Sequence, residues 1–185
     1  MKNRAVFLDR DGTIVYDLGY PRDPDSVELM PGVVQALRLL QENSFTLVII
    51  SNQSGVGRGI LNNSDLANVH NRLIKILENN SIYIRKSYYC THAPWEKCKC
   101  RKPKPAMLFR AAEEMAIDLA SSFVVGDKPS DVEAGLKAGC WTIMIEEQEI
   151  RKIIDNKIIK PHAVFPDLLS ASRWIVSFIE DTGSS

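Results

Sequence analysis

Two aspartates stand one residue apart in Asp9-Arg10-Asp11-Gly12-Thr13, directly after the apolar run AVFL. Carboxylates this close repel unless a cation or a shared proton holds them together. In isolation the same letters also read as a turn, since Asp and Gly favour turns. An EF-hand calcium loop does not fit, because the sixth-position glycine and the further oxygen ligands are missing. A second apolar run leads into SNQSGVGRG. Here Ser51 offers a hydroxyl and Asn52 an amide, and Gly55, Gly57 and Gly59 let backbone approach an anion or simply turn. A third run ends in GDKPSD. Asp127 can complete an oxygen site for Mg²⁺, which binds through few carboxylates and keeps waters for a phosphate. Ser130 or Asp131 is expected to cap the helix that follows.

The remaining chemistry lies in YYCTHAPWEKCKCRKPKP. Cys90, His92, Cys98 and Cys100 follow the spacing C-x-H-x₅-C-x-C and run straight into Arg101 and Lys102. Three thiolates and one imidazole form a closed tetrahedral Zn²⁺ set of the structural kind, with no position left for catalytic water. Cys140 is expected to be a buried small residue, and His70 and His162 to serve surface or packing roles.

These residues need elements to place them. AVFLD (5–9), TLVIIS (46–51), SFVVGD (122–127) and WTIMI (141–145) read as buried parallel strands. IYIRKSYYC (82–90) reads as another, from its aromatic and β-branched content. Between them, PGVVQALRLLQEN, NSDLANVHNRLIKILENN with Ser64 as N-cap, AMLFRAAEEMAI, SDVEAGLKAG and DLLSASRWIVSFIE carry helical spacing, and Gly139 stops the fourth. The alternation predicts an α/β fold, a parallel sheet covered on both faces, with its site beyond the carboxyl ends of the strands. Each chemical motif falls at such an end.

At 185 residues the chain suits one domain, expected over 1–181 with a disordered tail at 182–185. The 23 basic and 23 acidic residues cancel, which leaves no global field to draw nucleic acid or a membrane surface. No apolar run is long enough for a bilayer, and MKNRAVFLDRDG lacks a secretory leader. A cytoplasmic monomer is expected, in a compartment where disulfides are rare.

Taken in order, FLDRDGT, SNQSG, RKPKP and VVGDKPSD resemble the four motifs of the haloacid dehalogenase (HAD) superfamily of phosphatases, over nearly the whole chain. The resemblance implies a three-layer, Rossmann-like fold. It implies that Asp9 is the nucleophile, forming an aspartyl phosphate, and that Asp11 is general acid and then base. Mg²⁺ would be held by Asp9, Asp127 and the main-chain carbonyl of Asp11. Ser51 and Lys102 would bind the transferring oxygens, and Lys128 would add positive charge. Dehalogenases lack the second aspartate. Only about thirty residues separate Thr13 from the second strand, against ~50 or more for a cap domain, so a largely capless enzyme follows.

A zinc loop running into CRKPKP resembles one subgroup, the D-glycero-D-manno-heptose-1,7-bisphosphate 7-phosphatases and the related histidinol-phosphate phosphatase domains. Asp17-Leu18-Gly19-Tyr20 and NQSG-x-x-RG are similar to the heptose enzymes, and the short x₅ loop resembles the histidinol type as much as the heptose type. Gly57 stands where alanine is common in the family, and Pro21 where valine is usual. On the heptose reading, Asp17, Leu18, Gly19, Tyr20, Asn52, Gln53, Ser54, Arg101 and Lys128 line the site of a small phosphorylated sugar used in lipopolysaccharide or S-layer synthesis. Arg101 suits a distal phosphate or a sugar hydroxyl. A non-catalytic phosphate-binding domain is the alternative from another class, expected to have lost Asp9 or Asp11.

Overall fold

The structure, a computed structural model, describes residues 3–146, 153–154 and 157–183. In chain order the elements are β1 (Ala5–Leu8), α1 (Val33–Glu42), β2 (Thr46–Asn52), α2 (Asn63–Asn79), β3 (Lys86–Cys90), α3 (Ala106–Met115), β4 (Phe123–Gly126), α4 (Pro129–Ala138), β5 (Trp141–Ile145), β6 (Ile153–Ile154), β7 (Lys157–Ile158), β8 (Ala163–Phe165) and α5 (Leu168–Gly183). Six strands form one sheet in the order β3-β2-β1-β4-β5-β8, and all pair in parallel. The two-residue strands β6 and β7 make a separate antiparallel ribbon. Between Thr13 and β2 there is only a 3-10 turn (Pro24–Ser26) and α1, so no cap domain interrupts the fold.

The sheet is buried on both faces, as its unbroken apolar strands require. Side chains alternate across a strand, so Val6 and Leu8 join Ile49, Phe123 and Val125 on one face, with Leu37 and Leu40 of α1, Leu73 and Leu77 of α2 and Ile175 of α5. Ala5 and Phe7 join Val48, Ile50 and Val124 on the other, under Met107 and Leu108 of α3 and Ala134 of α4. Three layers result. Phe123 lies at the centre, fully buried, with its ring edge-to-face against Phe45, Trp174 and Phe178. Among the described residues no helix is long and apolar enough to cross a membrane.

Several boundaries differ from the sequence expectation. α1 begins at Val33 rather than Pro31, because Gly32 takes a left-handed φ of 76° and cannot continue a helix. α2 is capped by Asn62 rather than Ser64. The Asn62 side chain accepts from the Asp65 N–H at 2.8 Å, and Asp65 accepts from the Asn62 N–H at 2.9 Å, a reciprocal capping box. Residues 82–85 do not extend β3. The Ile82 N–H donates to Leu77 O and the Tyr83 N–H to the Gln41 side chain, which draws the backbone toward the ends of α2 and α1. Edge strand β8 was not foreseen, being too short to show a period. α5 runs on through Thr182 and Gly183, two residues into the expected tail, since no proline stops its last turn; Ser184 and Ser185 lie outside the described residues.

Replacing Phe123 by alanine opens a cavity at the junction of the sheet and three aromatic rings. A loss of about 3–5 kcal/mol is expected by urea denaturation. A loss below about 1 kcal/mol would contradict this account of the core.

Candidate active site

The strand ends bring the motifs together. Asp9 follows β1 and stays in the sheet through its N–H, which donates to Val125 O at 2.9 Å. Its carboxylate is 6% exposed. Lys102, in the loop before α3, reaches in from the opposite side. Its Nζ lies 3.0 Å from Asp9 Oδ1 and 2.5 Å from Asp131 Oδ1, and donates to Ile50 O at 2.7 Å. This buried ammonium is thereby paired with two carboxylates and donates to one carbonyl. Burial opposes its charge, but Asp9 and Asp131 outweigh that and hold it above the usual lysine range. The backbone of Lys102 is pinned as well. Its N–H donates to Asn52 Oδ1 at 3.0 Å, and Asn52 Nδ2 donates to its carbonyl at 3.1 Å.

Asp127 closes the cluster just past β4. Oxygens of Asp9, Asp127 and Asp131 lie within 4.8 Å of one another. Both Asp131 oxygens are taken, Oδ1 by Lys102 and Oδ2 by the Lys128 N–H at 3.0 Å. Asp127 Oδ1 is buried with neither a hydrogen-bond partner nor an ion pair among the described residues. An orphaned carboxylate oxygen beside Asp9 is what a hard cation would satisfy. Gly12 makes the approach possible, since at φ 81° a Cβ there would overlap the Asp127 carboxylate. Burial is the largest cause pushing Asp127 up to about 6. Lys128 pulls against it, while Asp9 and Asp131 add to it.

Beside this cluster, Arg10 and Gln53 hold Asp11. Arg10 Nε donates to Asp11 Oδ1 at 3.0 Å, its Nη2 lies 2.8 Å from the same oxygen as an ion pair, and Gln53 Nε2 donates to Oδ2 at 2.7 Å. Gln53 also reaches Ser51 Oγ at 3.0 Å and accepts from Arg10 at 2.9 Å.

A strap over residues 16–22 crosses the rim. The Lys128 Nζ lies 3.0 Å from Asp17 Oδ2 and 3.7 Å from Asp127 Oδ2. Although burial opposes it, Lys128 and the Gly19 N–H hold Asp17 below the usual carboxylate range. Tyr20 lies against Gly55, where a Cβ would meet its ring at 2.6 Å, and the Arg22 guanidinium donates to Ile60 O. Leu18 points its side chain into solvent, and Gly19 supplies a left-handed φ of 74° for the turn.

The cysteine cluster forms next door. Cys100 Sγ is 3.2 Å from Cys90 Sγ and 3.3 Å from His92 Nδ1, and Cys98 Sγ is 3.6 Å from Cys90 Sγ. These sulfurs are too far apart for a disulfide (~2.05 Å) and close to the ~3.8 Å edge of a tetrahedron with 2.3 Å metal–sulfur bonds. The set can hold a metal ion. The Gly57 N–H donates to Thr91 O at 2.8 Å, and a Cβ at Gly57 would overlap Ala93 N. Glycine is therefore required at this position, because the short cysteine loop lies directly on the 53–60 turn.

Thus Asp9, Asp11, Ser51, Asn52, Gln53, Lys102, Asp127 and Lys128 gather at one end of the sheet, with Asp17 and Tyr20 on the rim. Ser54 is buried beneath the turn. Arg101 follows the last sulfur ligand, and its Nη1 is buried without a hydrogen-bond partner. Two residues escaped the sequence reading. Asp131 had been assigned to helix capping, and it does cap, but it also grips Lys102; four residues beyond Asp127 at a helix start was the available signal. Arg10, 2% exposed, stood hidden between the two acids.

Comparison with known proteins agrees with this geometry. A family model described as HAD-hydrolase-like matches residues 99–171. The chain is 34% identical to the D-glycero-beta-D-manno-heptose-1,7-bisphosphate 7-phosphatase of Escherichia coli K12, covering 96% of this chain and 90% of that one. It is 37% identical to the D-glycero-alpha-D-manno-heptose-1,7-bisphosphate 7-phosphatase of Campylobacter jejuni, over 80% of this chain and 86% of that one. The crystal structure of D,D-heptose 1,7-bisphosphate phosphatase from B. bronchiseptica, complexed with magnesium and phosphate, superposes with a TM-score of 0.83 at 27% identity, covering 95% of this chain and 99% of that one.

A proton and a divalent cation compete for Asp127. Because its pKa is raised to about 6, cation binding is full above that pH and is lost as pH falls through it. Apparent affinity is expected to drop about tenfold per pH unit below about 6. Calorimetric Mg²⁺ titrations on either side of that value check this, and a flat profile would contradict it.

Proposed function

The chain belongs to the D-glycero-D-manno-heptose-1,7-bisphosphate 7-phosphatase family of HAD-like hydrolases, and from that premise we propose that it removes the 7-phosphate of a heptose 1,7-bisphosphate to leave heptose 1-phosphate. The observation that carries the reading is the arrangement of Asp9, Lys102 and Asp127 at the carboxyl ends of β1 and β4. The capless fold leaves that arrangement open to a small phosphorylated sugar.

Asp9 attacks phosphorus, and the bond from phosphorus to the sugar oxygen breaks. Asp11 gives its proton to the departing oxygen. Water then attacks the aspartyl phosphate as Asp11 takes a proton from it, which releases phosphate, frees the Asp9 carboxylate and returns Asp11 to its protonated form. Before substrate arrives, Lys102 neutralises Asp9 and fixes its direction. Ser51 and Lys102 bind the transferring oxygens, and Lys128, freed from Asp17, adds charge at the phosphate. Asp9, Asp127 and the Asp11 carbonyl would hold Mg²⁺, which when bound would supply the charge neutralisation that lets one anion approach another.

The four-ligand cluster is read as a structural Zn²⁺ site. Its last ligand, Cys100, directly precedes Arg101 and Lys102, and its first, Cys90, accepts the Gln53 N–H through its carbonyl at 2.7 Å. Zinc would thereby hold two segments of the site at once.

Phosphate release is measured from both anomers of heptose 1,7-bisphosphate and from histidinol phosphate. One heptose anomer is expected to give the highest kcat/KM; a preference for histidinol phosphate would refute the substrate. D9N is expected to lower turnover by ~10³-fold or more, the scale of losing a nucleophile, and normal turnover would refute the mechanism.

Replacing Cys100 by serine is expected to reduce zinc content and to lower kcat/KM by ~10²-fold, the scale of a 1 Å misplacement. Unchanged kinetics in folded, zinc-free protein would show that the cluster does not position the site.

A further inference from the structure

Gln53 follows β2 directly and is 6% exposed. Its hydrogen bonds are all internal: both amide protons go to Asp11 Oδ2 and Ser51 Oγ, and the carbonyl accepts from Arg10. A guanidinium only donates, so the contact with Arg10 fixes which end of the amide is oxygen. A substrate ligand needs a free polar atom and access to the sugar. Gln53 has no free amide proton and is buried, although its motif resembles a substrate loop.

What this network does to Asp11 can be read from its lone pairs. A carboxylate offers about four acceptor sites. Oδ1 accepts the Arg10 Nε–H and is ion-paired to Nη2 at 2.8 Å, which holds it as the charged oxygen, and Oδ2 receives one N–H from Gln53. One site on Oδ2 is left. Behind the clamp, the Arg10 guanidinium lies 5.9 Å from the Tyr89 ring centroid, and the Tyr89 hydroxyl is 2.8 Å from His70 Nδ1, so Arg10 is backed by a packed aromatic wall. Ser51 Oγ already accepts from Gln53, and its own proton is left to donate elsewhere.

We infer that Gln53, together with Arg10, is a positioning residue: it fixes the Asp11 carboxylate so that Oδ2 carries the proton given to the leaving oxygen, and it turns the Ser51 hydroxyl toward the phosphoryl group. The inference rests on Asp11 being the proton donor and goes beyond that reading by naming the atom and the residues that set it.

The test uses full-length, metal-loaded protein and a series of phosphomonoesters of rising leaving-group pKa, from p-nitrophenyl phosphate through phenyl phosphate to glycerol phosphate, with heptose bisphosphate alongside. For these, kcat/KM reports the steps through formation of the aspartyl phosphate. Q53M keeps the volume and removes the hydrogen bonds. It is expected to lose less than about tenfold with p-nitrophenyl phosphate, whose leaving group needs little protonation, and about a hundredfold or more with glycerol phosphate, the size of a general-acid contribution. Equal loss across the series would overturn the inference in favour of a purely structural role. Loss confined to heptose bisphosphate would overturn it in favour of a sugar ligand. Thermal unfolding verifies that Q53M is folded; if it is not, Q53E, which can still accept from Arg10, carries the same series. If the wild-type protein hydrolyses no phosphomonoester, the proposed function fails. The clamp is then decided by a Q53M crystal structure, in which an unmoved Asp11 carboxylate would refute it.

Discussion

A buried ammonium between two buried carboxylates organises this protein. Lys102 is ion-paired with Asp9 and Asp131 and donates to Ile50 O. An unpaired charge at that depth would be strongly unfavourable, so each member depends on the others. Asp131 is held in turn by the first turn of α4, through the Lys128 N–H. The result is a rigid tie between β1, β2, α4 and the loop before α3. Asp9 therefore sits in one direction, with its charge already balanced by the chain.

That tie explains the neighbouring metal cluster. A loop carrying a buried lysine must arrive at a set depth and angle. The Lys102 backbone is fixed by Asn52 on one side, and the cysteine cluster ends two residues earlier on the other. Through Gly57 the same cluster also abuts the 53–60 turn. One knuckle thereby braces the lysine loop and the turn that bears Gln53 and Ser54. In a fold without a cap domain, these short braces and the 16–22 strap are what shape the approach to the site.

Much of the architecture was legible because parallel sheets declare themselves. The strands at 5–8, 46–52, 123–126 and 141–145 are apolar on both faces, and no other element of this length looks the same. Asp9, Ser51 and Asp127 were legible for a related reason: each stands at the end of such a strand, where backbone direction changes and side chains are freed. Helix starts were less legible. Asn62 and Ser64 are both good caps, and only the reciprocal bond with Asp65 separates them. The coil at 82–85 looked like a strand because its letters are β-favouring, yet the Ile82 and Tyr83 N–H groups find partners on α2 and α1 and only Arg85 reaches β2, a contest that local pattern cannot see.

The sequence by itself determined the reacting groups: an acid pair, a hydroxyl, a lysine and a further acid at successive strand ends, and a four-ligand soft-metal set within eleven residues. Those identities depend on chemical type and local spacing, which a linear chain displays. Tertiary structure alone decided how the groups are divided between acting and holding. Asp131 and Arg10 are separated in sequence from what they grip or are masked by their neighbours, and only the closing of β2 and β4 around β1 brings Lys102 onto Asp131 and Gln53 onto Asp11. Hydrogen-bond capacity is settled by distance and direction across the sheet. For that reason the catalytic letters could be read along the chain, and their assignment to individual oxygens could be read only from the fold.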